Sequence, residues 1–103
     1  MRSLVVTAAE VASTPIYREM LSRFPQGSKP EDLEWRYDWV MMNPKLNVRD
    51  AMAAQCRGKP YVPRARAEDA MVTLVVTLKG GFVKRQVVST FPMAVRREIE
   101  RYL

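Results

Sequence analysis

The sequence predicts an α+β fold, with N-terminal helices, an antiparallel hairpin-based sheet and a C-terminal helix. Three observations predict it. Helix-opening patterns recur at Thr7, Thr14 and Ser28, each with a glutamate three residues later or a proline at the first helical position. Two β-branched runs flank Gly80-Gly81 in MVTLVVTLKGGFVKRQVVST. After Phe91-Pro92, Val95, Ile99 and Tyr102 return at helical spacing. With 103 residues, 48% of them apolar and 27% charged, residues 1–103 read as a single domain of ordinary globular composition.

Arg2–Val6 reads as a short strand, and Thr7 with Glu10 caps a helical turn through Val11. Thr14 before Pro15 caps a second helix. Ile16, Met20 and Phe24 share one of its faces, which Tyr17 and Leu21 widen, and Pro25-Gln26-Gly27 ends it. Ser28 and Glu31 open a third helix. In it Leu33, Tyr37, Val40 and Met41 form one stripe, and Trp35, Trp39 and Met42 another. Being apolar over most of its circumference, this helix is expected at the centre of the fold, with both tryptophans in the core. Asn43-Pro44 stops it. Asn47 and Asp50 cap a short helix over 47–55, with Gly58 at its C-cap position. The segment GKPYVPRARAED reads as a loop, with Tyr61-Val62 a candidate edge strand.

If Gly80-Gly81 is a two-residue turn, Lys79 faces Phe82. Alternation then places Val72, Leu74, Val76, Leu78, Val83 and Val87 on one face, with Arg85 and Ser89. Thr73, Val75, Thr77, Lys79, Phe82, Lys84, Gln86 and Val88 take the other, more polar face. Two strands alone are marginal, so a third is expected from Arg2–Val6 or Tyr61-Val62. In the last helix Arg96, Arg97 and Arg101 lie away from the core stripe.

The formal net charge is +6. Residues 1–51 hold seven basic and seven acidic side chains, whereas residues 52–103 hold ten basic and four acidic. Two windows contain no acid: one carries Arg57, Lys59, Arg64 and Arg66, the other Lys79, Lys84, Arg85, Arg96 and Arg97. Such a field attracts polyanions, RNA above all, or an acidic protein surface. The predicted contact surface is Arg57, Lys59, Tyr61, Arg64 and Arg66 together with Lys84 and Arg85, Lys84 being the better placed of the two strand residues. Tyr61 among loop cations fits base stacking and fits an ordinary solvated loop equally well.

With no histidine, Ser-His-Asp and Cys-His catalysis and histidine-based zinc sites are excluded. Cys56 beside Arg57 reads as a buried structural thiol rather than a nucleophile, and Asp50 reads as a cap residue. No cofactor and no metal is expected. No apolar run approaches the ~18 residues of a membrane span, and the N-terminus lacks a secretory apolar core. One cysteine and no leader predict a reducing, cytoplasmic setting.

Arg23-Phe24-Pro25, then Asn43-Pro44, then Val88-Ser89-Thr90-Phe91-Pro92 resemble, over roughly residues 15–92, the small ribonuclease group spanning barnase, EndoU, colicin and RelE-type toxins. The resemblance implies an RNA-directed protein of a phage or mobile element, and a toxin-type ribonuclease if it is an enzyme. Phe24 stands where that group carries a histidine, so the resemblance would give Lys84, Arg85 and the loop cations the roles of activating the 2′-hydroxyl and stabilising the phosphorane. Two further readings stay open: a non-enzymatic inhibitor or adaptor whose basic face docks on an acidic protein, and a protein that dimerises through its hairpin edge.

Overall fold

The computed structural model describes residues 1–42 and 47–103. Its centre is a four-stranded antiparallel sheet of order β1-β2-β3-β4: β1 (Arg2–Val6), β2 (Leu33–Met41), β3 (Ala70–Leu78) and β4 (Phe82–Val88). Between β1 and β2 lie α1 (Ala8–Ala12) and α2 (Ile16–Ser22); α3 (Val48–Cys56) falls between β2 and β3, and α4 (Met93–Glu100) follows β4. The α+β class, the N-terminal helices, the antiparallel sheet and the C-terminal helix agree with the sequence reading.

The largest correction is β2, which replaces the expected central helix. Both periods fit Leu33, Tyr37 and Met41, but residues 33, 35, 37, 39 and 41 also form an unbroken every-second series, with Glu34, Arg36 and Asp38 between them. A helix would have wrapped those charges around the same cylinder as the aromatics. A strand sends them to the opposite face. Leu33, Trp35, Tyr37 and Trp39 are accordingly buried, while Val40 is half-buried on the far side. Ser28 and Glu31 introduce only a short 3₁₀ turn, Pro30–Asp32, whose Pro30 carbonyl accepts the Trp35 indole N–H at 3.0 Å. Asn43-Pro44 lies outside the described residues. The third strand expected from Arg2–Val6 exists, but it pairs with β2 rather than with the hairpin, and Tyr61-Val62 is not a strand.

The hairpin forms with its register shifted by one residue. Leu78, not Lys79, pairs with Phe82, so the loop is Lys79-Gly80-Gly81, closed by the Gly81 N–H donating to the Leu78 carbonyl at 3.1 Å. Gly80 and Gly81 both take positive φ, 106° and 95°. A one-residue slip exchanges every β4 side chain between faces. Phe82, Lys84, Gln86 and Val88 therefore share the core side with Val72, Leu74, Val76 and Leu78, and Val83, Arg85 and Val87 point to the other side. Val76 is fully buried and Val87 is 58% exposed, so the expected Leu74–Val76–Val83–Val87 cluster does not form.

One face of the sheet carries the core. Val11 of α1, Met20 of α2, and Val95 and Ile99 of α4 pack there against Trp35, Tyr37, Leu74 and Val76. Tyr17 stacks on Trp35 with ring centroids 5.3 Å apart, and Phe24 meets Phe82 edge-on. The Thr7–Glu10 capping box forms as expected. Thr14 does not cap α2; its hydroxyl donates to the Val11 carbonyl, and Pro15 holds the cap position. Tyr102 leaves the α4 core stripe and is half-exposed beneath the Arg2 guanidinium. The second face of the sheet has Val75 buried at its centre, between Arg36 and Arg85 in register, with Val5, Met71 and Val87 exposed around it.

Candidate functional site

The molecule measures 61 × 21 × 18 Å, with a radius of gyration of 17.5 Å. A compact chain of about 100 residues has a radius near 13 Å. The extra length matches an arm, residues 47–66, inserted between the end of β2 and the start of β3. Its helix, α3, buries none of its residues. The Asn47 side chain accepts the Asp50 N–H at 3.2 Å and caps α3, as the sequence indicates. Gly58, at φ 68°, turns the chain back one residue beyond the Arg57 C-cap. Besides the Lys59 N–H donating to the Ala54 carbonyl at 3.0 Å, two side-chain contacts tie the return segment to α3 among the described residues. The Asn47 N–H donates to the Tyr61 hydroxyl at 3.1 Å, and Arg66 lies 3.9 Å from Asp50. At the base, the Met42 N–H donates to the Asp69 carbonyl at 3.1 Å, and the Asp69 carboxylate accepts the Arg66 N–H at 2.9 Å.

Five cations lie on the arm, Arg49, Arg57, Lys59, Arg64 and Arg66, against one acid, Asp50. Arg66 spends its charge partly on Asp50. Among the described residues Arg49, Arg57, Lys59 and Arg64 have no ion pair. Exposed beside them are Val48 at 62%, Met52 at 61% and Val62 at 79%. Val48, Met52 and Cys56 are four residues apart on α3 and so form one stripe. Cys56 is exposed, not the buried thiol expected. A cleft of about 800 Å³ runs between α3 and the return segment, lined by Ala54, Tyr61, Val62, Arg64 and Arg66. Tyr61 is half-buried there, its hydroxyl accepting the Asn47 N–H.

The strand residues of the expected surface lie elsewhere. Lys84 is in register with Val76, six residues up β3 from its first residue Ala70, which is about 20 Å from the base of the arm. The register shift also turns Lys84 to the core side, half-buried, with its ammonium 5.0 Å from the Phe82 ring centre. Arg85 is the exposed member of the pair. Arg57, Lys59, Tyr61, Arg64 and Arg66 thus form one group, while Lys84 and Arg85 sit apart from it and on opposite faces. Arg96, in the second acid-free window, is neutralised by Glu68. The Arg96 guanidinium donates to that carboxylate and holds it below its ordinary range. An acid-free window in the sequence is not acid-free in space.

Of the resemblance motifs, Phe24 is a core residue, Arg23 bridges Glu19 and Gln86, and Phe91-Pro92 leads into α4. Among the described residues no group of three His, Cys, Asp or Glu side chains is placed to hold a metal ion, and no helix is long and apolar enough to cross a membrane. The sequence reading missed Arg49, Val48 and Met52 as surface residues. Their spacing was legible, but that nothing covers them was not. Compared with known proteins, the chain matches no family model, no curated protein and no solved structure.

Proposed function

We propose that this chain is a non-enzymatic adaptor or inhibitor that docks its basic arm on an acidic protein surface. The observation that carries this reading is the joint exposure, on one protruding element, of an apolar stripe and of cations without an ion pair among the described residues. Apolar side chains kept in water have no use in phosphate neutralisation, whereas buried apolar anchors ringed by charges are what protein interfaces use. The charges then steer encounter and set salt sensitivity, while Val48 and Met52 supply burial.

A second reading is favoured by a separate observation: among the described residues Arg57, Lys59 and Arg64 lie without carboxylate partners close together in the chain, an arrangement that suits a nucleic-acid backbone. In this reading the arm contacts RNA of a phage or mobile element, with or without cleavage, and Arg85 is at most a separate contact.

Fluorescence anisotropy with two probes separates them: an amphipathic peptide of Glu, Leu and Ala, and a single-stranded RNA, each titrated with wild type, R57A/K59A/R64A and V48S/M52S. The adaptor reading expects tighter peptide binding, weakened by both variants. RNA bound more tightly, unaffected by V48S/M52S and losing about 0.7 of salt slope per removed phosphate contact, would replace it with the nucleic-acid reading.

A further inference from the structure

The end of the sheet opposite the arm carries the complementary chemistry. There β2 begins and β3 ends, and a groove of about 800 Å³ opens between the start of α1 and the 3₁₀ turn. Val5, Ala8, Ala9 and Pro30 give it an apolar floor. Glu31, Asp32 and Glu34 line it on one side, all exposed and none in an ion pair among the described residues; Lys79 is the one cation lining it. The arm offers the converse set, an apolar stripe of Val48 and Met52 flanked by Arg49 and Arg57.

We infer that the acidic surface the arm recognises is the groove of a second copy of this chain. This deepens the adaptor reading and rests on it. Strand β2 keeps the groove and the base of the arm about 26 Å apart, and α3, about 13 Å long, starts from the far end, so an arm does not reach its own groove. An arm of one copy seated in the groove of another closes as a two-fold dimer when the two arms are exchanged, and propagates head to tail into a ring or a filament when they are not. A nine-residue helix covers less than the ~800 Å² per partner of a standard interface, so the association is weak and depends on concentration. Opposed charges at its rim make it salt-sensitive.

Sedimentation velocity on the full chain tests this at rising protein concentration, in low and in high salt. At low salt the mass is expected to climb above the 11.9 kDa monomer, and high salt returns it there. The arm reversal R49E/R57E and the groove reversal E31K/D32K/E34K should each stay monomeric, because each brings like charges together. Mixed in equal amounts, the two should assemble again, since each junction regains opposite charges. Circular dichroism confirms that both variants are folded. A wild type monomeric at every concentration, or a folded mixture that does not reassemble, overturns the proposal. If self-association fails while the acidic peptide probe still binds through the arm, the adaptor reading survives with a different partner. If both fail, both readings fall.

Discussion

The sheet-and-helix body and the arm are built from similar shares of apolar residues and meet opposite fates. In the body Trp35, Tyr37, Leu74, Val76, Val95 and Ile99 vanish from the surface, each held by neighbours from several elements. In the arm Val48, Met52 and Val62 stay in water, and beyond its own backbone hydrogen bonds the conformation is held, among the described residues, by a cap, one tyrosine hydroxyl and one long ion pair. A helix as short as α3 is marginal alone, so these local bonds define it without making it part of the cooperative core. The difference teaches how position decides the fate of apolar side chains: the core face of the sheet buries its own between strands and helices, while Val48 and Met52 on α3 have no packed layer over them.

The comparison breaks first if the body is not where the stability resides. Trp39→Ala should lower unfolding free energy by about 3–5 kcal/mol in chemical denaturation, because the indole is buried on the core face of β2. A loss under ~0.5 kcal/mol, the range of an ordinary surface change, would contradict the core assignment.

Tyr37→Phe probes the same core in the other direction. The Tyr37 hydroxyl is fully buried and unpartnered among the described residues. Its burial raises the phenol above its ordinary value, while the Thr14 hydroxyl, short of hydrogen-bond geometry, acts the other way. Removing an unsatisfied buried hydroxyl should gain about 1–2 kcal/mol. Because the folded state holds that proton longer, the unfolded chain releases it first once pH exceeds 10.0, and wild-type stability should fall there. The Tyr37→Phe variant should fall less steeply, and parallel curves would remove the buried phenol as a cause.

Val88→Ala against Val87→Ala tests the hairpin register. Val88 packs on the core and should cost about 1 kcal/mol, while Val87, exposed on the second face, should cost under ~0.5 kcal/mol. The reverse order would restore the two-residue turn.

The smallest expected effect lies in the arm. R57A/K59A/R64A should leave the melting free energy within about 0.5 kcal/mol, since none of the three takes part in an ion pair among the described residues. A larger loss would place the arm inside the cooperative unit.

Much of this architecture is local, and local features are written in the chain. The Thr7–Glu10 capping box, the Asn47 cap, the glycine turn and the Val95–Ile99 stripe each need only residues a few positions apart, so spacing alone determined them. The basic excess beyond residue 51 was likewise a matter of counting. Residues 33–41 were ambiguous because large aromatics with interspersed charges satisfy a helical and a strand period together; β1 and β3 decided between them by supplying backbone partners on both sides. The glycine pair specified a turn but not its length, and packing of Phe82 against Phe24 and Val88 against the helices selected the three-residue loop. Charge followed the same division. The sequence determined how many cations the second half holds, but pairing across space decided which remain unneutralised among the described residues, because Arg96 finds Glu68 and Arg66 finds Asp50 while Arg57, Lys59 and Arg64 project from an arm that carries too few acids to meet them.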